Sequence, residues 1–97
     1  VSGGENIASS EIERVLYEDE AVLEAAVVGR PDERWGEVPV AFVVLREGAA
    51  VSGDALIARC RGQLAKFKVP KDVVLIDELP RNPSGKIMKR ELRERLP

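Results

Sequence analysis

The 97 residues make one domain with room for a modest core. Apolar residues are 44% and charged residues 33%, a globular balance, while aromatics at 4% leave the core to Val, Leu, Ile and Ala. A net charge of −2 argues against general nucleic-acid binding, and the absence of histidine with a single cysteine, Cys60, excludes a Cys/His zinc site, a Cys/His nucleophile pair or an internal disulfide within this chain.

Gly3 and Gly4 in Ser2-Gly3-Gly4-Glu5-Asn6 make a loop, because paired glycines resist regular structure. Ser10-Glu11-Ile12-Glu13 has the form of a capping box, and Ile12, Val15 and Leu16 follow at helical spacing, so a helix is expected over 10–18. Ala25 to Val28 is a short apolar run ending at Gly29, a first strand, and Arg30-Pro31-Asp32-Glu33 reads as a turn. The Val-rich run Val38 to Leu45 is a second strand, with Pro39 expected near its start or at a sheet edge, since proline cannot donate to a ladder. Ser52-Gly53-Asp54 opens a second helix to Leu64, with Leu56, Ile57, Cys60 and Leu64 on one face and Cys60 as a buried small apolar residue. Val73 to Ile76 is a third strand, Glu78 to Lys86 an irregular loop, and Met88 to Leu96 a terminal helix. The order αββαβα describes an α+β domain: a small three-stranded sheet, mixed or antiparallel, covered by helices. No apolar run is long enough to span a membrane, and one cysteine suits a reducing compartment, so a cytoplasmic protein is expected.

Charge is uneven. Lys66 to Lys71 and Arg81 to Arg95 are basic-rich, whereas Glu11 to Glu24 is acidic, so the second half could face phosphates or could simply be solvated helix faces. Asn82-Pro83-Ser84-Gly85-Lys86 places a lysine on a tip whose backbone can turn sharply. It is not a P-loop: the earlier glycine is missing, and Ile87 stands where Ser or Thr should follow the lysine. Taken alone, Lys86 reads as a solvated surface lysine.

The wider string LPRNPSGKIMKRELRERL resembles the closing motif of the adenylate-forming (AMP-binding) superfamily, which includes acyl-CoA synthetases, luciferases and peptide-synthetase adenylation domains. Three more stretches agree in order: SGGENIASSEIE with the start of that family's C-terminal domain, VVGRPDERWGEVPVAFVVL with its central strands, and LAKFKVPKDVVLIDELP with the segment before the catalytic loop. The resemblance covers essentially the whole chain. It implies that residues 1–97 are the mobile C-terminal lid domain of an ATP-dependent acid–thiol ligase, with the large N-terminal domain and the hinge residue lying upstream of this sequence. The reaction implied is carboxylate + ATP + CoA to acyl-CoA + AMP + PPi, with the domain alone inactive. The partners implied are the N-terminal domain, a small carboxylic acid, ATP and CoA, with Mg2+ held mainly by the N-terminal domain.

By position, the resemblance makes Lys86 the adenylation lysine, its ammonium stabilising charge that builds as the carboxylate attacks the α-phosphate. Ser84 and Gly85 would let its loop approach and leave the site. Gly3, Gly4 and Glu5 would line the pantetheine passage after the domain turns. Trp35 and Phe67 match aromatic positions near the CoA nucleotide, with Lys68 or Lys71 for phosphates, against the alternative of ordinary packing. The SGGEN form is closer to fatty-acyl and aryl-CoA ligases than to peptide-synthetase domains. A domain loading a carrier protein, and a free-standing binding module without catalysis, stand as the other readings.

Overall fold

The computed structural model describes residues 8–97. Helix α1 covers Ser9–Tyr17, strand β1 Val22–Asp32, strand β2 Gly36–Leu45, helix α2 Gly53–Arg61, strand β3 Asp72–Leu75 and helix α3 Lys89–Arg93, with a 3-10 turn at Lys66–Lys68 before β3. The sheet order is β1-β2-β3. β1 and β2 are antiparallel and β2 and β3 parallel, so the sheet is mixed. The parallel pair follows from the long connection through α2, because parallel neighbours need a crossover rather than a tight turn.

Alternation along the strands loads both sheet faces. Ala25, Val27, Ala41 and Val43 pack on one side with Ile12, Val15 and Leu16 of α1 and Leu56 and Cys60 of α2. Ala26, Val28, Val40, Phe42 and Val44 pack on the other with Leu79 and Leu92, flanked by Ile87 and Leu96. The C-terminal residues are therefore a layer of their own, opposite α1 and α2. A strand buried on both faces needs the near-continuous apolar runs that β1 and β2 carry.

Four local expectations change. The hairpin turn lies three residues later than the Pro31-Asp32 pair suggests: β1 runs through Asp32, paired with Gly36. The Asp32 carboxylate accepts from the N–H groups of Arg34 and Trp35, and Gly36 closes the turn at φ +81°. Pro39 lies in the central strand and is buried. Its carbonyl accepts from Lys71 N, so its missing N–H faces the same side, one residue before the β2–β3 ladder opens at Val40 and Asp72. The capping box does not form, since α1 starts at Ser9 after Ala8 and no side chain caps it. Instead Glu13 Oε2 accepts from Val27 N at 2.8 Å and Tyr17 Oη accepts from Ala25 N at 3.0 Å. Two residues one helical turn apart thus occupy the open edge of β1, where unpaired backbone donors would otherwise lie.

Candidate functional site

The fourth change concerns the lysine tip. Residues 80–88 are not irregular but a tight hairpin. Met88 N donates to Pro80 O, Arg81 and Ile87 form an antiparallel bridge, and Asn82 N donates to Lys86 O. Asn82 Oδ1 accepts three bonds, from Ser84 N at 3.0 Å, Ser84 Oγ at 2.8 Å and Lys86 N at 2.9 Å. Gly85 N donates to Asn82 O, and Gly85 takes φ +90°, a conformation that glycine adopts without a Cβ penalty. Ser84 and Gly85 therefore shape the turn that carries Lys86. Lys86 is exposed, and among the described residues no carboxylate pairs with it. The ammonium is presented rather than consumed.

The tip is fastened to the sheet. Arg81 Nη1 donates to Gly85 O at 2.7 Å, and its Nη2 pairs with Glu24 Oε1 at 2.6 Å. Further on, Lys89 Nζ reaches Glu13 Oε2 at 2.9 Å, the oxygen that also holds Val27 N. Arg81, Glu24 and Asn82 escaped the sequence reading, although Asn two residues before Ser in Asn-Pro-Ser-Gly is the signal of an Asx turn.

The other expected residues lie at the far end of the sheet. Trp35 sits on the β1–β2 turn, 61% exposed, with the Arg34 guanidinium 5.3 Å from its ring centre. Phe67 projects from the 3-10 turn, 71% exposed, with Lys68 Nζ 5.6 Å from its ring centre. Neither ring belongs to the core of this domain. Lys68 also pairs with Glu11 at 2.8 Å. Lys71 is exposed beside an open depression that Arg61, Lys66, Val69 and Pro70 also line. Arg30 pairs with Asp72 at 2.7 Å, holding the start of β3 to this end. Exposed aromatic faces beside cations suit a stacked base with phosphates. Gly3, Gly4 and Glu5 lie outside the described residues.

Cys60 is fully buried, and burial pushes its thiol above the usual value of 9.0, with a smaller opposing pull from Arg59. It is core, not chemistry. Among the described residues no helix is long and apolar enough to cross a membrane, and no three metal-ligating side chains gather.

Fold and site together define a small α+β domain that presents one lysine on a stapled turn and an aromatic-cationic surface at the opposite end. Residues 11–86 match the family described as AMP-binding enzyme C-terminal domain, and the chain belongs to that family. The chain is 53% identical over 96 residues to the 2-succinylbenzoate–CoA ligase of Bacillus cytotoxicus, covering 99% of this chain and 20% of that protein. It is 53% identical over 97 residues to the peroxisomal butyrate–CoA ligase AAE11 of Arabidopsis thaliana, covering 97% and 17%. The crystal structure of ATP-bound MatB from Rhodopseudomonas palustris superposes with a TM-score of 0.87 at 40% identity, covering 92% of this chain and 18% of that one. The chain thus spans about a fifth of the length of the curated relatives it matches.

Proposed function

We propose that residues 1–97 act as the C-terminal lid of an ATP-dependent acyl-CoA ligase, working with a larger N-terminal domain on a carboxylic acid, ATP and CoA. In this reading Lys86 serves adenylation. Its ammonium meets the charge that grows on the α-phosphate as the carboxylate attacks, in a closed site where a positioned cation counts for far more than in water. Trp35, Phe67 and Lys71 serve thioester formation, stacking on the CoA base and pairing with its phosphates, while Gly3, Gly4 and Glu5 border the thiol's path. Mg2+, the acyl pocket and the choice among acids, fatty acids included, belong to the N-terminal domain. The cytoplasm is the proposed compartment.

One observation carries the reading. Arg81 ties the Lys86 turn to Glu24, near the start of β1, whereas Trp35 lies on the turn just beyond Asp32, at its end. Those anchors, Glu24 and Asp32, are eight residue steps apart along β1, about 26 Å at the ~3.3 Å rise of a strand. A lysine side chain reaches only a fraction of that distance. In this reading the two surfaces serve one active site in turn, through a rotation of the domain, and such a step can itself limit turnover.

The test uses the full-length enzyme and runs the half-reactions separately. Lys86→Ala should lower adenylation, followed by pyrophosphate exchange, on the order of 100- to 1000-fold. It should leave CoA consumption from supplied acyl-AMP near the wild-type rate. Equal loss in both halves would refute the division of labour. Thioester formation on a carrier-protein phosphopantetheine in preference to CoA would refute the acceptor.

A further inference from the structure

The lysine tip needs an orientation as well as a charge, and a bulge in β1 supplies it. Val22 pairs with Leu45 but Glu24 pairs with Val44, so Leu23 is an extra residue in the strand. An inserted residue shifts the side-chain alternation. Val22 faces the α1–α2 side with Ala25 and Val27, whereas from Glu24 onward the even positions, Ala26 and Val28, face the C-terminal layer. In regular, unbulged alternation Val22 and Glu24, two residues apart, would share a face. The bulge therefore lets β1 keep Val22 in one core while sending the Glu24 carboxylate toward the hairpin on the other side.

There the carboxylate meets Arg81, whose two terminal nitrogens are both engaged, Nη2 by Glu24 at 2.6 Å and Nη1 by the Gly85 carbonyl at 2.7 Å. The Gly85 carbonyl belongs to the peptide whose nitrogen is Lys86 N, and Lys86 N is held in turn by Asn82 Oδ1 at 2.9 Å. The planar guanidinium fork fixes both bonds in one geometry, which an ammonium cannot do. Arg81 and Glu24 spend their hydrogen bonds on the turn and on each other, so their effect on the reaction passes through where Lys86 points.

We propose that Glu24 and Arg81 are positioning residues for the adenylation lysine, a strap from the Leu23 bulge to the Gly85 carbonyl that sets the direction of Lys86. The proposal rests on the role given to Lys86 above. A misplacement of about 1 Å in a reacting group can cost on the order of 100-fold, so cutting the strap should be visible even though both residues are partly solvated.

The experiment measures both half-reactions in full-length enzyme carrying Arg81→Ala, Arg81→Lys, Glu24→Gln, the pair Glu24→Gln/Arg81→Ala, and Lys86→Ala as reference. Arg81→Ala should reduce the adenylation kcat roughly 10- to 100-fold with the KM for ATP nearly unchanged, and leave thioester formation from supplied acyl-AMP intact. Glu24→Gln should move the same constant in the same direction. The double variant should be no worse than Arg81→Ala, because a strap is cut only once. Arg81→Lys should not restore the rate, since charge without the fork does not hold the turn.

Three outcomes overturn the proposal. A rise in KM for ATP in Arg81→Ala, with Glu24→Gln silent and Arg81→Lys rescuing, would make Arg81 a direct phosphate ligand. Equal loss in both half-reactions would make the pair merely structural. Additive losses in the double variant would show two separate functions. Lys86→Ala reports on the underlying reading independently: if its adenylation is unimpaired, the role of Lys86 falls and the strap falls with it.

Discussion

Removal of the Glu13 carboxylate tests how the domain closes the open edge of its sheet. Glu13→Ala leaves Val27 N, which now donates to Glu13 Oε2 at 2.8 Å, without a partner beside a buried residue. An unsatisfied backbone donor in such a place costs about 1–3 kcal/mol. The same change strands Lys89, but that pair is partly solvated and contributes about 0–1 kcal/mol. The expected total is about 1–4 kcal/mol, or roughly 4–30 °C in Tm for a domain of this size. Glu13→Gln keeps an oxygen acceptor for Val27 N and loses only the charge, so it should cost about 1 kcal/mol or less, close to Lys89→Met. Urea and thermal unfolding of the four proteins, wild type included, give the differences directly. The reasoning is refuted if Glu13→Gln falls as far as Glu13→Ala, or if Glu13→Ala lies within about 0.5 kcal/mol of wild type, the range of an ordinary surface change.

Phe67→Ala should leave stability within about 0.5 kcal/mol, because the ring is already 71% exposed. In the full-length enzyme it should raise the KM for CoA roughly 10- to 100-fold, the loss expected for one stacked base, with pyrophosphate exchange unchanged; an unaltered KM would show that no base stacks there. Cys60 gives a pH signature. Its folded thiol titrates above the usual 9.0, so the folded state holds its proton where the unfolded chain gives it up. Stability that is complete below that pH should therefore decline as pH rises past about 9, and Cys60→Ala should flatten the decline; an identical slope in both proteins would refute this.

The elements with strong local patterns were legible in the sequence. The helical spacing of Ile12, Val15 and Leu16 gave α1, and the Val-rich run gave β2, both to within two residues. What stayed hidden depended on partners distant in the chain. β1 extends three residues earlier and four later than its apolar run because pairing with β2, not its own composition, sets its ends. Glu13 carries a perfect capping signature, yet the edge of β1 competes for its carboxylate and takes it. The lysine motif was legible by resemblance, but its order was not, since two prolines and a glycine read as a flexible loop until Asn82 is seen to gather three donors. Phe67 and Trp35 could be placed at the surface or in the core from sequence, and only the structure shows that both are exposed.

The layer formed by the C-terminal residues has a consequence for how the protein fails. Leu79 and Leu92, with Ile87 and Leu96 beside them, roof the face of the sheet that holds Phe42. A chain cut before residue 79, by a premature stop or a protease, would lose Lys86 and at the same moment lay bare Val28, Val40 and Phe42. Exposed apolar strands of that kind are what chaperones and proteases recognise, so the damaged product is cleared instead of lingering as an intact but silent enzyme that still occupies substrate. With the role proposed for Lys86, catalytic competence and survival in the cell would depend on the same stretch of chain.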